Sequence, residues 1–196
     1  MAKLFFRYSS MGAGKSLDLI KTCYNYEERG KKVIIFTSIE DDRYGENVVK
    51  SRTGLQKDAI VVNNKFDMYN HIEKLSVKPD CVLVDEIQFF TKEQIYQLTD
   101  IVDKLNIPVI GYGLRSDFKL KPFEGSSYML ILADLIEELR TLCYKCDKKA
   151  ILNIRYQNDK IITDGEQIQI GGNETYRSLC RKWYKKEIEK NAKLWY

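Results

Sequence analysis

The sequence predicts an α/β fold, a mainly parallel sheet with flanking helices and a small cysteine-containing lid attached to it. Three observations predict this. Short apolar runs alternate with helical periodicity through the first two-thirds of the chain, and strands separated by helices join by right-handed crossovers into a parallel sheet. The first run feeds a turn of small residues, Ser9-Ser10-Met11-Gly12-Ala13-Gly14-Lys15-Ser16. After Leu142 the texture changes to short paired strands and closely spaced cysteines.

Taken in order, Leu4 to Tyr8 reads as a buried strand. From Lys15 the apolar positions Leu19, Ile20 and Cys23 follow helical spacing, with Gly30 as the stop. Val33 to Phe36 is a second strand, and the polar stretch from Ser38 to about Gly54 is expected to be one long loop. Cys81 to Val84 is a fully apolar strand ending in Asp85-Glu86. Thr91 and Gln94 form a capping-box pattern for a helix to about Leu105, and Ile107 to Tyr112 is the next strand. In the lid, Ile151 to Tyr156 and Lys160 to Thr163 read as strands around Asn158-Asp159, and the end of the chain is a charged helix or loose tail. The expected division is a core over 1–140, a lid over 141–184 and a charged tail over 185–196.

With 196 residues, 44% hydrophobic and 31% charged, the chain has an ordinary globular composition and enough length to bury a cleft. Its net charge of +4 is spread among acids. The run from Tyr184 to Lys190 carries both signs, so no nucleic-acid partner is expected. No apolar run approaches the ~18 residues that would span a bilayer, so no membrane partner is expected either. The start of the chain lacks a secretory pattern and the five cysteines are an odd number, so the expected location is a reducing cytoplasm.

Ser9 to Ser16 approaches the pattern G-x-x-x-x-G-K-[ST], with serine in the first position. Small residues let successive backbone N–H groups point at phosphate oxygens, and the helix that follows adds its positive end. The expected core is therefore P-loop NTPase-like and binds ATP: Lys15 reaches the β- and γ-phosphates, and the Ser16 hydroxyl binds Mg²⁺. Val82-Leu83-Val84 delivers Asp85 beside this loop, at the carboxyl end of a strand. Asp85 is the second candidate for Mg²⁺. Glu86, projecting to the other side of the strand, is the candidate catalytic base. Ile87 and Gln88 complete the expected ATP-binding segment. These motifs leave the acceptor open between water and a substrate hydroxyl.

Further strings narrow that choice. Met11-x-x-Gly14-Lys15-Ser16, Asp41-Asp42-Arg43-Tyr44, Asp85-Glu86-x-Gln88-Phe89, Gly113-Leu114-Arg115-x-Asp117-Phe118 with Phe123, and Ile170-Gly171-Gly172-Asn173-x-x-Tyr176 occur in that order. Together they resemble the thymidine kinase family shared by bacteria, poxviruses and the animal cytosol, its bacterial branch most of all. The resemblance runs from about Leu4 to Tyr184. It implies transfer of the ATP γ-phosphate to the 5′-hydroxyl of thymidine or deoxyuridine with Mg²⁺, Glu86 being the base. It places Asp41 on the sugar hydroxyl, and Met11, Phe89, Leu114, Phe118 and Phe123 around the nucleobase. It makes Gln167, Ile168, Gln169, Ile170 and Gly171, with Tyr176, a lasso over the pyrimidine. It also implies a homotetramer and feedback binding of thymidine triphosphate.

Aromatic faces suit a base, and backbone amides of a glycine-bearing ribbon can read its edge. Phe90 is expected to be core. Cys143-x-x-Cys146 with Cys180 gives three ligands of a structural zinc site, which normally has four. The resemblance puts the fourth three residues after Cys180, where this chain has Trp183. Two accounts stand: zinc on three thiolates with Asp147 or water, or apolar packing by Trp183 in place of the metal. His71 is expected at the surface or on a helix face, and Cys23 and Cys81 as buried small hydrophobes.

Overall fold

The apolar runs build a six-stranded sheet in the computed structural model, which describes residues 1–41, 47–158, 160–169, 171 and 175–192. Its strands are β1 (Leu4–Ser9), β2 (Val33–Ser38), β5 (Ile60–Val62), β6 (Cys81–Val84), β7 (Val109–Leu114) and β8 (Leu135–Glu138), in the order β5-β2-β6-β7-β1-β8. Every ladder is parallel. Between them lie the helices α1 (Lys15–Glu27), α2 (Met68–Glu73), α3 (Lys92–Leu105) and α4 (Glu124–Leu132). Two apolar layers cover the two faces. One gathers Phe6, Phe36, Val82, Val84, Phe90, Leu98 and Met129, and the other gathers Leu19, Ile20, Cys23, Ile35, Cys81, Leu83 and Tyr112. Parallel strands read as continuous apolar runs because helices bury both faces, and β6 is buried at all four residues.

The capping box forms as expected: Thr91 accepts from the Gln94 N–H, and the Gln94 side chain accepts from the Thr91 N–H. Phe90, Cys23 and Cys81 are buried in the core. His71 sits half-buried in α2 with its ring 5.4 Å from Phe66 and 6.0 Å from Phe36. The expected loop over 38–54 is corrected. Strand β3 (Val48–Lys50) pairs antiparallel with β4 (Gln56–Asp58), because Val49 has an apolar site to fill beside Leu19 and Ile20. The sequence reading has no counterpart for β5, α2, α4 or β8.

The lid is a separate small β unit. Strands β9 (Leu142–Cys143) and β10 (Cys146–Lys149) make a hairpin, and β11 (Leu152–Gln157) sits between β12 (Lys160–Ile162) and β13 (Tyr176–Leu179). Helix α5 (Arg181–Ala192) packs on this sheet through Tyr184 and Ile188. Its core contains Cys143, Ile154, Tyr156, Leu179 and Cys180.

Candidate active site

The carboxyl ends of β1, β6 and β7 converge on one edge of the sheet, with Ser9 opposite Leu114 and Val84 opposite Gly111. Ligands of open α/β sheets bind at that edge. The loop leaving β1 turns back through Gly12 and Gly14, both at φ +78°, a left-handed conformation that favours glycine. Gly14 is the N-cap of α1 and brings no capping side chain, so the loop and first helical turn present backbone N–H groups suited to an anion. Lys15, buried, turns its Nζ back over the loop, 3.4 Å from Ser9 Oγ and 3.5 Å from the Ser10 carbonyl.

Asp85 follows β6 and is buried, accepting from the Ser16 hydroxyl at 2.9 Å and from the Glu86 N–H at 3.0 Å. Burial, together with the charge of Glu86, pushes its carboxyl up to about 7, against the pull of Ser16 and Lys15. A buried acid touching a hydroxyl at the mouth of a phosphate loop is a donor set that suits Mg²⁺. Glu86 departs from the expected geometry. It is itself in the left-handed region, φ 50° and ψ 40°, as the cap of the 3₁₀ turn Ile87–Phe89, so this backbone twist and not strand alternation sets it apart from Asp85. Such a conformation costs a non-glycine residue about 1 kcal/mol or more and is retained where geometry demands it. Here it turns the carboxylate into the cleft, where the Gln88 side-chain amide donates to Oε2 at 2.5 Å. The Gln88 amide oxygen accepts from Leu114 N–H. The turn is held by α4, because a Cβ on Gly125 would stand 2.2 Å from the Ile87 carbonyl oxygen.

These elements wall a cavity of about 430 Å³, a size suited to small-molecule ligands. One end is the loop from Met11 to Ser16; the other is Phe89, Leu114, Phe118 and Phe123 under Gln167, Ile168, Gln169, Gly171 and Tyr176. Phe89 and Phe123 meet edge to face at 5.9 Å. Glu86 and Gln88 belong to the same wall. Of the other expected site residues, Ser9, Ser10 and Asp85 are buried behind the lining, and Ile87 is in the core. Asp41, half-buried after β2, is not part of the cavity wall. Ile170, Asp42, Arg43, Tyr44, Gly172 and Asn173 lie outside the described residues.

Several site residues escape a motif reading. Arg155 on β11 is fully buried, 3.8 Å over the Phe118 ring. It donates to the carbonyls of Glu166 and Gln167 and to the Tyr176 hydroxyl, which donates to the Gln169 carbonyl. An arginine inside the apolar run Ile151 to Tyr156 was the available signal, because buried guanidinium groups need several acceptors. Asn153 and Ser178 grip the backbone of Met11, and Arg52 brings a guanidinium to the cavity wall beside Gly12.

In the lid, the Sγ atoms of Cys143, Cys146 and Cys180 all lie within 4.8 Å of one another. Among the described residues no imidazole or carboxylate, Asp147 included, joins them at that distance. Burial opposes ionisation of Cys143, yet N–H donation from Cys180 and Lys145 holds its thiol below the ordinary value. Three soft donors so placed can hold zinc. Trp183, half-buried one helical turn after Cys180, packs on the same small core.

A family model described as thymidine kinase matches residues 2–184. Similar proteins include the thymidine kinase of Streptococcus pyogenes serotype M3, 47% identical over 184 residues, which are 94% of this chain and 97% of that protein. The thymidine kinase of Lactococcus lactis subsp. lactis is 46% identical over the same shares. That of Shouchella clausii is 51% identical over 183 residues, 93% of this chain and 95% of its own length. No helix among the described residues is long and apolar enough to cross a membrane. With a match that spans nearly all of its length and relatives that align almost end to end, this chain belongs to the thymidine kinase family.

Proposed function

We propose that the chain phosphorylates thymidine, or deoxyuridine, at its 5′-hydroxyl with ATP as donor. The observation that carries this reading is the single cavity that joins the phosphate loop, Glu86 and the aromatic lid end. The triphosphate lies along Gly12 to Ser16 with Lys15 on the β- and γ-phosphates. The pyrimidine lies among Phe89, Phe118 and Phe123, under the lasso. Ser16 and Asp85 would hold Mg²⁺, which neutralises phosphate charge when bound.

In the reaction, the 5′-oxygen forms a bond to the γ-phosphorus as the bond to the β–γ bridging oxygen breaks, and ADP leaves. The 5′-hydroxyl proton passes to the Glu86 carboxylate. Gln88, donating to Glu86, fixes the carboxylate's direction, and Lys15 and Arg52 offset charge on the transferring phosphoryl group. The lid's three cysteines, Cys143, Cys146 and Cys180, would hold zinc in a structural role. Thymidine triphosphate acts as feedback inhibitor at the same cleft, and a tetramer in the cytoplasm is the working form.

The test is incubation with ATP, Mg²⁺ and thymidine, with chromatographic detection of thymidine monophosphate. Stoichiometric formation of ADP and thymidine monophosphate is the expected result. ATP loss without nucleotide product would sink the kinase reading and leave water as the acceptor.

A further inference from the structure

The lid grips Met11 of the phosphate loop from both sides, and Thr141 adds a longer approach to the Gly12 carbonyl at 3.5 Å. The Met11 N–H donates to Asn153 Oδ1 at 2.9 Å, and the Met11 carbonyl accepts from the Ser178 hydroxyl at 2.5 Å. Ser178 has a single proton, so its 3.3 Å approach to Asn153 Oδ1 is packing once that proton is committed to Met11. Asn153 and Ser178 are direct cross-strand partners in β11 and β13.

The next pair on the same face, Arg155 and Tyr176, is also directly paired, because residues two apart on a strand share a face. That second row grips the lasso: Arg155 donates to the Glu166 carbonyl at 2.9 Å, and Tyr176 donates to the Gln169 carbonyl at 2.9 Å. One rigid two-by-two block on a three-stranded sheet thus holds the ATP loop with one row and the nucleoside lasso with the other. A phosphate loop crowded with inward N–H groups is best ordered when an anion fills it. Ordering of Met11 then carries directly into the sheet that positions the lasso.

We propose that Asn153 and Ser178 are positioning residues that latch the lid to the phosphate loop, so that ATP and the nucleoside bind synergistically. This rests on the kinase reading above. Energetic coupling can be carried by an element whose arrangement both sites bias, and this block touches both. Linkage makes the coupling reciprocal: whatever factor the nucleotide adds to nucleoside affinity, the nucleoside adds to nucleotide affinity.

The experiment measures thymidine affinity by calorimetry with and without Mg²⁺ and a non-hydrolysable ATP analogue. In the parent protein the analogue is expected to tighten thymidine binding about tenfold or more, within the usual range of coupling between sites. Ser178→Ala is expected to bring that ratio close to one, and Ser178→Thr, which keeps the hydroxyl, to restore most of it. Uniform weakening of both ligands with an unchanged ratio would show a merely structural role and overturn the latch. Hydrogen exchange on the parent alone gives a second reading that needs no variant. Analogue bound without thymidine should slow amide exchange over 166–169, and unchanged exchange there overturns the latch too. A parent that makes thymidine monophosphate but shows a ratio of one defeats the latch and leaves the function standing. A parent that makes none defeats both.

Discussion

Glu86 follows β6 in a left-handed conformation that turns its side chain into the cleft. The carboxylate lines the cavity and is held by Gln88, so Glu86→Gln removes the proton acceptor with little change of shape. Turnover should fall about a hundred- to a thousandfold, while the affinity for ATP measured by calorimetry stays within about twofold. Near-normal turnover would exclude Glu86 as the base. Arg155 escaped the motif reading because its role is collective: one guanidinium satisfies two lasso carbonyls and a hydroxyl while lying over an aromatic face. Lysine cannot reproduce that fork or its stacking. Arg155→Lys should therefore weaken thymidine affinity about tenfold or more, and leave the affinity of an ATP analogue measured without thymidine nearly unchanged, both by calorimetry. Equal losses for the two ligands, each measured alone, would mean that the residue supports the fold and not the lasso.

Elements were legible where local chemistry decides them. The capping box of α3 and the small-residue turn before α1 need no distant partner, so sequence alone places them. The β3–β4 hairpin is short, polar outside and held by Val49 against α1, and nothing local announces that contact. The start of α5 is a mixed case. Cys180 precedes it and Trp183 follows one turn later on the same side, where a fourth ligand would complete the three thiols. Three thiolates leave one coordination position to water, so bound zinc should exchange more readily than in a closed four-ligand site. Trp183→Cys closes the site. It is expected to tighten zinc about a hundred- to a thousandfold, one ligand's share of a four-ligand binding energy of ~10–16 kcal/mol, as read by competition with a chromophoric chelator. If the purified parent is free of zinc and Trp183→Cys binds none, the indole packs a metal-free lid core.

At the scale of the whole molecule, the alternation of strands and helices fixed a parallel sheet but not its order. Order depends on which helices pack on which face, and the edge strands β5 and β8 carry little local signal. That edge bears on the proposed assembly. Leu135 and Ile136, successive residues of β8 and so on opposite faces, are 40% and 46% exposed. Just before them, Leu130 and Ile131 at the end of α4 are 39% and 72% exposed. A sheet edge bearing apolar side chains on both faces is a surface that soluble chains normally cover. The occupant that suits the proposed homotetramer is a second copy of this chain, docked by a two-fold interface in which the same patch meets itself. Sedimentation velocity should then find the parent protein at a multiple of its 23.0 kDa chain mass. Ile131→Lys combined with Ile136→Lys should shift it to smaller species, since each buried ammonium would lack a partner across the axis. Both positions lie outside the cavity wall, so single-site ATP affinity provides the control that the variant has folded. A parent that sediments at the mass of one chain, or a double variant that keeps the parental mass, would move the interface away from this edge.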